Sequence, residues 1–434
     1  MRRTAAASTV TMAPFLISAQ ALGLEEKAPA SGRLRIALIG CGRMGRENVQ
    51  ICGKNADVEI AALCDVWKSR LDRAGERYPS AKRYHDYRKM LDDQSLDGVI
   101  IATPPHWHCR QTVDACEAGK DIYLQKPMSL HLSESLAVRN AVRKHDRICQ
   151  IGTQIHATEN YRRVVEWIRS GKLGHVSVVR TFNVMNQGPN GIGYAPKTGA
   201  PVDLDWNQWL GPYAERSYNA LLASNASNHC WFMDYSGGWT CGMGPHILDL
   251  PVWALDLGYP ESVYSTGGRF GSDCDGDAPD TQEVTWKYPK MAMTWWMSTV
   301  NSFGFDFGRG KPSRRLGVYF QGGRGTMYCD YRKHEVVPEG NLLTDTTPPE
   351  KSIPPSPGHE REWLDSIKSR KQTTCSAEYH SKVDVPLVLA NLSQNLGRTI
   401  RFDGQTEQIV GDEEAARLSV PEYRSPWKFP HEYL

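Results

Sequence analysis

Apolar residues fall in short runs through the first third of the chain, separated by stretches of helical period. Leu34, Ile36, Leu38 and Ile39 read as a buried strand, and VEIAALC at 58–64 as a second. DGVIIATP at 97–104, DIYLQKP at 121–127 and ICQIGTQ at 148–154 repeat the pattern. Between them, 44–54, 66–77, 86–92, 109–118 and 129–145 suit helices, the last with Leu132, Leu136, Val138 and Val142 as apolar positions. Strands that are apolar throughout and alternate with helices predict a doubly wound parallel sheet, with both faces covered.

That alternation stops near residue 156. Residues 160–170 fit an amphipathic helix, and HVSVVRTFNV at 175–184 a strand. Further strand candidates are ESVYSTGGRF, TQEVTWKY, MAMTWWMSTV, LGVYFQGG and GTMYCDYRKHEVV. Val284, Trp286 and Tyr288 alternate with polar neighbours, as in an antiparallel sheet buried on one face. A Pro-, Ser- and Thr-rich loop at 340–358 precedes helices near 359–369 and 381–397. The expected architecture is an α/β Rossmann domain at 31–155, followed by an α+β domain at 156–434 with a large open, mainly antiparallel sheet.

Gly40, Gly42 and Gly45 complete a G-x-G-x-x-G directly after the first strand. In a dinucleotide site these glycines allow the tight turn, the approach of the pyrophosphate and close packing of the next helix, whose N-terminus faces the phosphates. Asp65 ends the second strand 25 residues past Gly40, where a carboxylate accepts both ribose hydroxyls and repels a 2′-phosphate. NAD is thereby favoured over NADP. Ligands of such sheets bind at the carboxyl ends of strands. The contacts expected there are Gly40, Gly42, Arg43, Met44, Gly45, Asp65, Thr103, Pro104, His106, His108, Gln125 and Lys126. Lys126, directly after a buried strand, could hydrogen-bond a substrate hydroxyl and ease its deprotonation. No metal is expected: His106 and His108, two apart at a helix start, point in different directions.

In HCWFMDYSGGWTCGMGPHILDLPVWALD (229–256), His246 and Asp249 are i and i+3 on one helix face. A histidine beside a nicotinamide could accept the alcohol proton, with Asp249 orienting it or binding a hydroxyl. His156, Asn160, Arg163, Tyr235 and Trp239 complete the expected substrate wall. Trp206, Trp209 and Trp253 are assigned to the core.

Net charge is +2 with no basic run, which argues against a nucleic-acid partner, and no later apolar segment is long enough for a bilayer span. Eleven cysteines without a C-x-x-C pair indicate neither a zinc framework nor a disulfide scaffold. Arg2 and Arg3 before a small, apolar stretch, with Ala19-Gln20-Ala21 as a cleavage site, make 1–30 similar to a twin-arginine leader. The expected location is periplasmic after export in the folded state, and cytoplasmic otherwise.

I-G-C-G-R-M-G, A-T-P-P-H-W-H, E-A-G-K-D-I-Y-L-Q-K-P and G-G-W-x-x-x-x-G-x-H-x-x-D resemble the glucose–fructose oxidoreductase/inositol dehydrogenase (Gfo/Idh/MocA) family. The resemblance is to exported bacterial members, which share L-D-W-x-x-W-L-G-P at 204–212 and I-K-S-R at 367–370. It implies NAD-dependent oxidation of a secondary alcohol on a sugar, glycoside or cyclitol, with Lys126 and His246 catalytic, and a homo-oligomer formed through the C-terminal sheet. Two departures stand out. Gln125 replaces the glutamate of E-K-P, and Gly242 stands where many members have an aspartate four residues before the histidine. Two other readings remain open: glycoside cleavage through transient oxidation with no net redox change, and non-catalytic binding of NAD and sugar.

Overall fold

The computed structural model describes residues 32–224, 226–304 and 315–434. The expected leader at 1–30 lies outside them.

Six parallel strands form the first sheet: β1 (Leu34–Ile39), β2 (Val58–Cys64), β3 (Lys82–Tyr84), β4 (Gly98–Ile101), β5 (Asp121–Leu124) and β6 (Cys149–Ile151). Their order is β3-β2-β1-β4-β5-β6, which puts the switch point between β1 and β4, beside the glycine loop. β3 escaped the sequence reading because its Lys-Arg-Tyr edge has no apolar pattern. The long helix after β5 begins at Leu132, not Ser129. The Ser129 hydroxyl donates to Asp384 at 2.6 Å, which holds the entry segment outside the helix.

The second sheet has nine strands in the order β13-β12-β11-β7-β10-β9-β8-β14-β15. They are β7 (Val176–Val184), β8 (Ser262–Gly268), β9 (Thr281–Tyr288), β10 (Met291–Ser298), β11 (Leu316–Gly322), β12 (Gly325–Cys329), β13 (His334–Pro338), β14 (Ile400–Asp403) and β15 (Gln408–Ile409). Only the β7–β10 pair is parallel, so the sheet is mixed but mostly antiparallel. The segment expected as one strand at 325–337 is a hairpin, turned where Asp330 accepts from the Arg332 and Lys333 amides. Along β9, Val284, Trp286 and Tyr288 are buried while Glu283, Thr285 and Lys287 face out. The buried face packs against the helices Glu159–Arg169, Pro245–Leu255 and Ala377–Leu396 in one core that includes Trp167, Leu248, Trp286, Trp295 and Leu387.

The C-terminal stretch returns to the first sheet. Trp363, Leu364 and Ile367, on the helix His359–Ser369, join the core of Leu34, Ile36, Leu38 and Ile100. Gly98 makes room for them: a Cβ there would stand 3.0 Å from Trp363 Cζ2. Phe429 and Tyr433 enter the core on the opposite face of that sheet. Trp363 is fully buried, so Trp363→Ala should cost about 3–5 kcal/mol. Urea unfolding followed by far-ultraviolet dichroism reads this as a lower midpoint; a midpoint equal to the parent's would contradict this packing.

Candidate active site

The loop after β1 meets the steric demands of a dinucleotide. Gly40 has φ +91°, and a Cβ on it would stand 2.7 Å from the Ala102 carbonyl oxygen. A Cβ on Gly45 would overlap the Gly40 carbonyl. Gly42 differs: its Cβ would meet nothing within 4 Å, because this glycine borders the cleft. The helix Arg43–Cys52 starts there with no side-chain cap and no acid in its first turn. Its first N–H groups are therefore available to an anion.

On one side of Gly42 lies a cavity of about 70 Å³ bordered by Gly40, Asp65, Thr103 and Pro104. Asp65 Oδ2 accepts from the Cys41 amide at 2.7 Å and Oδ1 from the Trp67 amide at 2.8 Å. Burial raises the pKa of this carboxyl, while those two N–H groups and the Arg70 charge act the other way. Each oxygen keeps a lone pair with which to accept a ribose hydroxyl. The Arg70 guanidinium lies over the Trp67 ring at 4.1 Å and donates to the Ala223 carbonyl at 2.7 Å, joining the two halves above the groove.

On the other side a cavity of about 280 Å³ is lined by Arg43, Met44, Thr103, Pro104, Gln125 and Lys126, and across from them by Cys230, Ser236 and Gly242. Gln125 is fixed by donating to Asn48 Oδ1 at 2.7 Å. Lys126 Nζ donates to the Gly242 carbonyl at 2.8 Å. No carboxylate lines this cavity among the described residues. Burial pushes the Lys126 ammonium below its ordinary pKa. The Gly242 departure has a steric counterpart: a Cβ there would stand 2.7 Å from Cys230 Sγ, so the thiol occupies that space.

His246 sits on the first turn of Pro245–Leu255, half-buried and outside the lining of the cavity. Burial first, and then the Lys126 charge, push its pKa down to about 3. Its Nδ1 is 3.3 Å from the Thr153 carbonyl. A neutral imidazole donating there leaves Nε2 as an acceptor.

Several expected contacts are not brought to the cleft. His106 is fully buried, with Nε2 at 2.9 Å from the Trp209 carbonyl. His108 is buried between the Pro127 and Thr103 carbonyls, at 2.6 and 2.9 Å, and ties the two strand ends together. Both rings thus hold the walls and do not face the cofactor groove. His156 and Asp249 pair with each other at 2.9 Å, fully buried, with Tyr379 and Thr153 also donating to the carboxylate. Asn160 donates to the Asp330 carbonyl and Arg163 pairs with Glu166, both away from the cleft. Tyr235 and Trp239 are buried in the second core, Tyr235 edge-on to His106. Trp209, assigned to the core, is buried but also borders both cavities. Arg46, Arg70, Cys230 and Ser236 were missed. Arg46 is one helical turn past Gly42, a usable signal; the others arrive by tertiary packing and carry none.

Known proteins agree with this geometry. An oxidoreductase-family NAD-binding Rossmann model matches residues 34–153, and the family's C-terminal alpha/beta model matches 174–429. The chain is similar to the rhizopine catabolism protein MocA of Rhizobium meliloti, 30% identical over 41% of this chain and 57% of MocA. It is also similar to an alpha-N-acetylgalactosaminidase of Shewanella oneidensis, 27% identical over 34% of each chain. The alignments thus span about a third to somewhat over half of these relatives' lengths. A solved structure, the WlbA dehydrogenase of Chromobacterium violaceum with NADH and UDP-GlcNAcA, superposes with TM-score 0.64 at 17% identity, over 87% of this chain and 98% of WlbA. Glycine loop, ribose-side acid and matched domains together make this chain an NAD-binding oxidoreductase of the Gfo/Idh/MocA family.

Proposed function

We propose that the protein oxidises a secondary alcohol of a sugar, glycoside or cyclitol, with Lys126 as the proton acceptor. The observation that carries this reading is the Lys126 ammonium in the cleft wall, partnered by one carbonyl oxygen and by no carboxylate of the cavity lining. NAD bound along Gly42 supplies a nicotinamide carbon that accepts the hydride. Burial destabilises the charged amine, so Lys126 is neutral at a lower pH than a solvated lysine and can take the hydroxyl proton. Burial and the Lys126 charge lower the His246 pKa, and this ring stands outside the cavity lining, so Lys126 is preferred to it as the acceptor. This moves the proton acceptor expected at His246 to Lys126. Gln125 and the Cys41–Asp65 pair hold the loop walls on which both ends of the cofactor would rest.

A second reading is supported by the named galactosaminidase relative: transient oxidation at the same site, followed by loss of an aglycone and re-reduction. The twin-arginine leader, if it directs export, favours the same reading, because a cofactor outside the cytoplasm is best retained. Purified protein separates the two. Net oxidation accumulates NADH on a panel of sugars and polyols, whereas the second reading releases aglycone without added NAD and without net NADH. Absence of turnover in both arms would leave binding alone. Self-association through the second sheet stays part of this proposal; on that sheet Phe182, Val184 and Tyr328 are buried beside the partly buried Trp296 and Tyr319.

Two variants test the site. Gly42→Val adds a side chain where the protein has open space, so thermal stability should stay close to the parent's while NAD affinity falls at least about tenfold; calorimetric titration reads it, and unchanged affinity would remove the loop from the cofactor site. Gln125→Glu places a carboxylate beside Lys126, favouring its charged form. The acidic limb of the kcat/KM–pH profile should then move up by about 1–3 pH units. A profile that does not move would exclude Lys126 as the base.

A further inference from the structure

The domain junction behind His246 gathers three donors of different chemistry. His156 comes from the turn Ile155–Ala157 after β6, Asp249 from the helix Pro245–Leu255, and Cys375 from the residue before the Ser376 cap of the helix Ala377–Leu396. One ring nitrogen, one carboxylate oxygen and one sulfur lie within 4.8 Å of one another. All three residues are at most 1% exposed. Each is held from behind. The His156 ring stacks on Trp253 at 4.0 Å. Asp249 accepts from Thr153 and Tyr379. The Cys375 carbonyl accepts from the Ile151 amide at 2.9 Å, and its sulfur lies 3.6 Å from the Thr153 hydroxyl oxygen.

We infer that this cluster is a structural zinc site, with His156 Nε2, the Asp249 carboxylate and Cys375 Sγ as ligands. Mixed nitrogen, oxygen and sulfur donors suit Zn²⁺ among biological divalent ions. Charge balance supports the assignment. A neutral imidazole, a carboxylate and a thiolate neutralise a divalent ion, leaving no net charge in a dry interior. His156 Nε2 meets Asp249 at 2.9 Å, while its buried Nδ1 has no hydrogen-bond partner among the described residues, an exception to the usual pairing of buried polar atoms. A second observation points the same way. His380 is fully buried and neither of its ring nitrogens has a partner among the described residues. The charged groups that act on it are Asp249 and His156. The spacing gave no signal because the three ligands come from stretches far apart in the chain.

Zinc here would pin the end of the cofactor half to two helices of the second domain, independently of the redox reading of the cleft. The test is elemental analysis of the purified full-length protein, before and after chelation, followed by reloading with Co²⁺. About one zinc per chain is expected, together with a thiolate-to-cobalt charge-transfer band in the near ultraviolet after reloading. Both should be lost in Cys375→Ser and in His156→Gln. Should either variant fail to fold, the parent protein still decides. A parent that contains no zinc and takes up neither zinc nor cobalt overturns the site. So does a folded Cys375→Ser that keeps the metal and the band. Because this readout does not depend on turnover, an inactive protein that binds zinc would defeat the redox reading alone.

Discussion

Lys126 leaves the end of β5 and enters a wall that offers it one carbonyl oxygen. An ammonium removed from water is costly unless an anion accompanies it. The cavity lining supplies none: Gln125 is neutral, and the space at Gly242 is taken by the Cys230 sulfur. What surrounds the cleft is instead an excess of positive charge, with Arg43, Arg46, Arg70 and Arg73 on its walls. The anionic pyrophosphate of a dinucleotide is the natural counter-charge for such a groove. Arg46 meets the Cys41 carbonyl and Arg70 the Trp67 ring and the Ala223 carbonyl, while Arg43 pairs with Glu47 one turn along its helix. Cofactor affinity and the acidity of Lys126 are therefore linked through one local field.

The walls of that groove are built by residues that never face it. His108 lies between the Thr103 and Pro127 carbonyls, and its neutral ring donates its one N–H to one of them. His106 and Trp107 both reach the Trp209 carbonyl, fixing the second domain against the first. His246 meets the Thr153 carbonyl, and Thr153 in turn donates to Asp249. Four imidazoles singled out by their chemistry thus divide unequally: His246 stands at the rim, while His106, His108 and His156 hold elements together.

What could be read from the sequence follows the range of the interactions involved. β1, β2 and β9 match their expected limits because apolar period and turn residues are local signals. Gly40, Gly42 and Gly45 were legible for the same reason, as a loop whose steric needs are met within a few residues. Lys126 was legible because a charge at the end of a buried strand is itself an anomaly. The misplacement of His156, Asn160, Arg163 and Asp249 has the opposite cause. A polar residue near a domain crevice can turn inward or outward, and only its partner decides. Asp249 finds His156 across 93 residues, and Asn160 finds Asp330 across 170. Cys230 is the sharpest example: nothing beside it in sequence marks it, yet it occupies the space a side chain at Gly242 would need.

The return of the C-terminal stretch to the first sheet has a consequence for how the protein is made. Asn48 donates to Glu360, 312 residues away, and Trp363 completes the core beneath β4. Tyr433, the penultimate residue, receives the Asn140 amide and donates to Glu117. The first sheet is thus sealed by a stretch that follows it at a distance of up to 316 residues along the chain. The first sheet therefore reaches its final packing only once that downstream stretch has been made.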